Sequence, residues 1–161
     1  MKASDYQIII IGAGVVGLAV ARALAEKGKQ SVLIIDRETG FGRGISGRNS
    51  EVIHSGIYYP QNTLKSKYCI KGRDLLYQYC ASNNVFHQKC GKIIIADEYQ
   101  EEALMNLFHL GESKNLGALK ILSKKEISHY ESDINGSIGL RIDSTGIIDA
   151  HGLMNSFYQK S

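Results

Sequence analysis

Six residues constrain this chain more than any other stretch: Gly12-Ala13-Gly14-Val15-Val16-Gly17. They follow a β-favouring run, Tyr6 to Ile11, and open a helical stretch with Val16, Ala19, Ala23 and Leu24 near helical spacing, stopped at Gly28. A second apolar run, Ser31 to Asp36, ends in a carboxylate. Continuous apolar runs of this length are expected of buried parallel strands, so the first forty residues read as a βαβ unit. Gly12 lets the chain turn tightly, Gly14 lets backbone approach a pyrophosphate with no Cβ in the way, and Gly17 lets the helix pack closely on the strand. The helix N-terminus offers unpaired N–H groups and a partial positive charge. Asp36 lies about 20 residues beyond the glycines, where a carboxylate accepts hydrogen bonds from both ribose hydroxyls and repels a 2′-phosphate. The full context points to a dinucleotide other than NADP. The alternative is a βαβ unit whose glycines serve packing alone. Gly12, Ala13, Gly14, Val15, Val16, Gly17, Asp36 and Arg37 form the first part of the candidate cofactor set.

The motif does not separate NAD from FAD, but the next segment bears on the choice. In place of another helix and a third apolar strand, Arg37 to Ser50 is a polar loop with glycines at 40, 42, 44 and 47 and arginines at 37, 43 and 48. Glycines and arginines over such a stretch suit backbone laid along a long phosphate-bearing ligand, which favours FAD over a mobile surface loop. Ser46, Arg48, Asn49 and Ser50 complete the candidate set.

From Ser46 the chain reads Ser-Gly-Arg-Asn-Ser-Glu-Val-Ile-His-Ser-Gly-Ile-Tyr-Tyr-Pro. This closely resembles the signature of the L-2-hydroxyglutarate dehydrogenases and oxidases, FAD enzymes of the glycine oxidase/D-amino-acid oxidase superfamily. The resemblance continues through 64–69 and 75–80, returns at Lys89-Cys90-Gly91-Lys92-Ile93-Ile94-Ile95-Ala96 and again at Thr145 to Asp149. It implies an α/β, Rossmann-like FAD-binding domain followed by the start of an α+β substrate domain. The implied reaction oxidises an (S)-2-hydroxy acid to its 2-oxo acid, with hydride passing to the flavin and electrons onward to an acceptor. His54 is the candidate catalytic residue and Tyr58 a polar contact; a histidine that only shapes the flavin pocket is the plainer role. Two departures stand out. Asp36 occupies a place where the superfamily commonly has Glu, and Glu51 one where Gly is expected beside the flavin, which puts a negative charge near the cofactor.

Family members are more than twice as long, so the resemblance implies a truncated chain and an incomplete enzyme when alone. On that reading 1–84 is the FAD-binding region, 85–148 a partial substrate domain, and 149–161 a helix returning toward the FAD region, with a separately encoded C-terminal half as a partner. Other readings are an amine or amino-acid oxidase of the same superfamily and a catalytically inactive product.

Within this frame, helices are expected over Thr63–Asn83, Glu98–Gly111 and Lys124–Tyr130, with Tyr68 and Tyr79 in the core. Strands are expected over 85–96, at Ile121-Leu122 and over 137–142, and Asp149 is placed to cap a last helix. The charge balance of 19 basic to 16 acidic residues gives +3, too mild and too dispersed for a nucleic-acid partner. Cys69, Cys80 and Cys90 cannot all pair within one chain and read as reduced thiols, mostly packing residues, of a cytoplasmic protein, peripheral to a membrane at most. No Cys/His spacing suggests a metal site. The apolar run near the N-terminus is too short to span a membrane, and Asp5 with the glycines argues against a leader.

Overall fold

The computed structural model describes residues 6–29 and 31–161, so Asp5 of the leader argument lies outside it. In chain order the elements are β1 (Ile8–Ile11), α1 (Val15–Glu26), β2 (Val32–Ile35), β3 (Val52–Ile53), α2 (Leu64–Ser82), β4 (His87–Gln88), β5 (Lys92–Ala96), α3 (Glu101–Ser113), β6 (Leu119–Ser123), α4 (Lys124–Tyr130), β7 (Ile138–Ile142), β8 (Gly146–Ile148) and α5 (Ala150–Gln159). Short 3-10 turns cover Ile45–Gly47 and Glu98–Gln100. Packing divides the chain into two compact units. One comprises Met1–Glu51, Cys80–Phe86 and Ile148–Ser161, the other Val52–Tyr79 and His87–Ile147.

The first unit is the expected βαβ. β1 and β2 pair in parallel with Ile8 opposite Val32 and Ile11 opposite Ile35. Leu18 and Ala21 of α1 are buried, as are Leu153, Met154 and Phe157 of α5, and the two helices pack together. The strands themselves depart from expectation. Ile9, Ile11 and Ile35 are 52%, 89% and 46% exposed, because β1 and β2 form a sheet of only two strands among the described residues.

Gly17 performs the packing role read from the motif. A Cβ there would lie 1.9 Å from the Gly12 carbonyl oxygen, so α1 can begin this close to the turn only with glycine. Gly12 has φ +107°, outside the range that L side chains adopt readily.

The second unit centres on an antiparallel sheet, β5-β7-β6, with Ile94 and Ile121 both opposite Leu140. Ile57, Ala96, Leu104, Leu116, Leu140 and Ile142 form its core, joined by Phe108 and Leu119. A smaller sheet is ordered β3-β8-β4. α4 starts at a capping box in which Ser123 and Glu126 exchange side-chain and backbone hydrogen bonds. Lys120 and Ser123 together hold the Glu126 carboxyl down to about 2, so the box is still ionised at acid pH.

Three expectations need correction. The strand over 85–96 is two strands, β4 and β5, interrupted at Gly91, whose φ of +75° breaks the extended run. Tyr68 is 59% exposed and not core; with Gly72 in the same helix and charged residues on several faces, its spacing marks no buried stripe. Cys80 is buried, whereas Cys90 is exposed and not a core residue, its thiol donating to the Gly91 carbonyl at 3.6 Å.

Gly17→Ala should destabilise the chain by roughly 1–3 kcal/mol, as overpacking against backbone does. Thermal melting should show a drop of several degrees, and an unchanged melting temperature would contradict the close approach.

Candidate functional site

In the first unit the candidate cofactor residues are brought together by five hydrogen bonds, three from backbone to side chains and two between backbone groups. The Gly12 N–H donates to the Ile35 carbonyl at 2.7 Å, fixing the turn to the end of β2. The Ala13 N–H donates to Asp36 Oδ2 at 2.6 Å, and the Glu38 N–H to Asp36 Oδ1 at 2.9 Å. The Val15 N–H donates to Ser46 Oγ at 3.0 Å, and the Gly42 N–H to the Ala13 carbonyl at 2.9 Å. The glycine turn, the end of β2 and the 40–47 loop are therefore one hydrogen-bonded assembly.

Asp36 is exposed, and the Glu38 and Ala13 N–H groups hold its carboxyl below the ordinary carboxylate range. Each of its oxygens has a second lone pair for a further donor. Asp36 sits on the rim of two grooves, of about 460 Å³ beside Ile34, Phe41 and Tyr158, and of about 500 Å³ beside Ile11, Gly12 and Arg37. α1 has no acidic residue in its first turn, and its N-cap is Gly14, with no side-chain hydrogen bond of its own. These features fit a nucleotide whose phosphates lie at a helix N-terminus and whose ribose meets a carboxylate.

The loop residues divide by use. Asn49 spends its amide on shaping the loop, donating to the Ser46 carbonyl at 2.7 Å and accepting from the Glu51 N–H at 2.7 Å. Arg37 pairs with Glu38 at 3.3 Å in solvent, a contact of little energetic weight. Arg48, Ser50 and the Val16 side chain are exposed.

Glu51, the departure noted in the sequence, has φ +55°, a left-handed conformation in which glycine is unstrained. Its charge is not left free. Oε1 accepts the Ala150 N–H at 3.0 Å in the first turn of α5, whose N-cap Asp149 accepts the Gly152 N–H at 2.7 Å. Two carboxylates thus serve one positive helix end.

His54 belongs to the second unit, on the loop that follows β3, with its side chain exposed. The loop backbone is tightly held. The Lys114 ammonium, at the C-terminus of α3, donates to the carbonyls of Gly56 at 3.3 Å, Ile57 at 3.1 Å and Tyr59. The Cys69 thiol donates to the His54 carbonyl at 3.5 Å, and Ile57 is buried in the core. Burial pushes the Lys114 ammonium below its usual range. The sequence reading missed this lysine because nothing local marks it: it stands 55 to 58 residues from the carbonyls it holds. Lys92, also missed as a site residue, lies with its ammonium 4.3 Å from the centre of the Tyr58 ring.

Among the described residues no group of His, Cys, Asp and Glu could hold a metal ion, and no helix is long and apolar enough to cross a membrane.

Lys114→Met should free the 56–59 carbonyls. Hydrogen exchange at the amides of this loop is expected to speed up roughly tenfold or more, while β5-β7-β6 keeps its protection. Unchanged loop exchange would show that the lysine contacts do not order it.

Comparison with known proteins bears on both units. L-2-hydroxyglutarate dehydrogenase of Arabidopsis thaliana mitochondria is 44% identical over 154 residues, covering 95% of this chain and 32% of that protein. The human mitochondrial enzyme of the same name is 36% identical over 158 residues, covering 97% and 34%. The chain thus spans about a third of the length of these relatives. Both are named as mitochondrial, so the cytoplasmic placement expected from the thiols has no counterpart in them. Among solved structures, the FAD-bound L-alpha-glycerophosphate oxidase of Mycoplasma pneumoniae superposes with TM-score 0.87 at 28% identity, over 94% of this chain and 41% of that one. Glycine oxidase of Geobacillus kaustophilus shares the fold, with TM-score 0.85 at 18% identity over 96% and 44%. The FAD dependent oxidoreductase family model matches residues 7–160, nearly the whole chain, and to that family the chain belongs.

Proposed function

We propose that this chain supplies the nucleotide-binding region and part of the substrate-binding region of an FAD-dependent oxidoreductase acting on a 2-hydroxy acid of the L-2-hydroxyglutarate type. Residues 1–84 form the first region, 85–148 part of the second, and 149–161 return to the first. The observation that carries the reading is the Asp36 carboxylate, ionised, held by the Ala13 N–H and open to two grooves. The names and extent of the relatives support the substrate class.

The roles follow from each group's chemistry. Gly12 to Gly17 and the N-terminus of α1 would receive the pyrophosphate, with Ser46 adding a hydroxyl at the Val15 N–H. Asp36 would accept the two adenosine ribose hydroxyls, and the 37–50 loop would line the remaining length of the ligand. FAD, when bound, supplies the two-electron acceptor for the substrate's α-hydride. His54 would take the proton of the α-hydroxyl as the carbonyl forms, from a loop backbone that Lys114 and Cys69 keep in place. A separate electron acceptor would be needed as a second partner.

The test is FAD binding by the chain, followed by quenching of flavin fluorescence. Asp36→Ala should weaken FAD roughly tenfold or more, the loss of two hydrogen bonds to a charged acceptor. Melting temperature serves as the control for its backbone contacts. Binding should also weaken in acid. A carboxylate whose folded pKa is depressed keeps its charge through the ordinary carboxylate range and loses it only as pH falls through the lowered value. Equal FAD affinity in parent and variant overturns the reading.

A further inference from the structure

In the second unit a buried hydroxyl without a hydrogen-bond partner and a half-buried ammonium without an ion pair line one recess. The Ser55 side chain is 1% exposed, and its Oγ has no hydrogen-bond partner. Lys92 is half-buried, and no carboxylate among the described residues lies within ion-pair distance of its ammonium, which lies over the Tyr58 ring. Ser55, Tyr58 and Lys92 all line one recess, together with His54.

The neighbouring cations are differently placed. Lys114 is committed to three backbone carbonyls. Lys65 is exposed and lies 4.5 Å from the centre of the Tyr59 ring, where water screens its charge. Lys92 is the one whose charge is both partly desolvated and uncompensated. Burial lowers its affinity for the proton, and a buried hydroxyl without a partner is costly as well. An anionic oxygen placed between them would relieve both costs, taking the Ser55 O–H as a donor and Lys92 as a counter-ion.

The recess, of about 10 Å³, has room for one atom the size of a water oxygen. It therefore takes the tip of an anionic group and not a whole ligand. Its walls are rigid. Lys92 is held in the sheet opposite Ile142, and the loop is held by Lys114.

We propose that Ser55 and Lys92 form a carboxylate-binding subsite that receives one terminal carboxylate of the substrate acid, making Lys92 a specificity-determining residue. The inference deepens the proposed function and rests on it for the identity of the ligand. It makes a terminal carboxylate a requirement for binding here, so an acid should bind better than its neutral amide.

The probe is glutarate, a dicarboxylate without an α-hydroxyl, titrated into the full 161-residue chain without FAD and followed by calorimetry and by the NMR signals of the Lys92 ammonium and the Tyr58 ring. Saturable shifts of both signals are expected, with binding weaker by roughly tenfold or more in Lys92→Met and largely restored in Lys92→Arg. Glutaramide, which has the same chain length and no carboxylate, should bind much more weakly than glutarate. Ser55→Ala should raise the melting temperature of the free chain, because it removes an unsatisfied buried hydroxyl, and yet weaken glutarate; a merely structural role for Ser55 predicts no such opposition. The Ser55 variant keeps the proposal testable should Lys92→Met fold poorly. Shifts that persist unchanged in Lys92→Met, no shift with glutarate, or equal shifts with inorganic phosphate or chloride each overturn it. The proposed flavin function fails separately, in the FAD titration, which involves neither residue.

Discussion

The first unit depends on one contact, the Asp36 carboxylate accepting the Ala13 N–H across 23 residues of sequence. β1 and β2 are each only four residues long, and parallel strands that short do not by themselves dictate where the turn after β1 will point. The carboxylate at the end of one strand takes up a donor that the glycine turn would otherwise leave unpaired, and the Gly12 N–H returns the tie to the Ile35 carbonyl. The turn is then fixed before any ligand arrives. The Glu38 and Ala13 N–H groups keep Asp36 ionised. An acceptor-only group is what two ribose hydroxyls require, so the contact that orders the fold also sets the charge state of the proposed site.

That double use explains why the first forty residues were legible from sequence and much of the rest was not. The glycine motif, its strand and its acid are separated by spacings that the chemistry fixes, and Gly17 leaves only glycine able to occupy its position against Gly12. α4 was equally legible, since Ser123 and Glu126 form a local box. Signals failed where partners are distant or where one residue interrupts a pattern. The apolar run after Val85 does not announce the kink at Gly91. β3 and β8 are two and three residues long, and they pair because Val52 meets Ile147 and Ile53 meets Gly146 from far along the chain. Lys114 and Ser55 carry no periodicity at all; one reaches carbonyls on another element, and the other is defined by a partner it lacks.

Burial of the first unit follows the same distinction between local and distant terms. Runs of isoleucine identify β1 and β2 as strands made for burial, since parallel sheets are ordinarily covered on both faces. Yet Ile11 is 89% exposed, and Val16 and Val20 of α1 are 73% and 46% exposed. Sequence pattern reports what a strand can bury, and the surrounding chain decides what it does bury. The chain spans about a third of its relatives' length, and an uncovered apolar face of this kind is larger in consequence than a scattered surface isoleucine.

Charge placement shows how a mild overall balance can still produce a sharply defined site. A net +3 over 161 residues says nothing about where an anion would bind. Position decides it. Glu126 is paired with Lys120, Asp143 with Arg141 and Asp74 with Arg73, so those charges cancel locally. Glu51 and Asp149, acids close in sequence to the signature and to β8, give their oxygens to the first turn of α5. Around the His54–Tyr59 loop the pattern reverses. Lys65 and Lys92 face tyrosine rings and Lys114 faces carbonyls, partners that orient a cation without neutralising it. Removing carboxylates from one loop while pairing them elsewhere costs the fold little, because each acid is satisfied where it stands. It leaves positive charge beside an exposed imidazole, the arrangement on which the proposed roles of Lys92 and His54 rest.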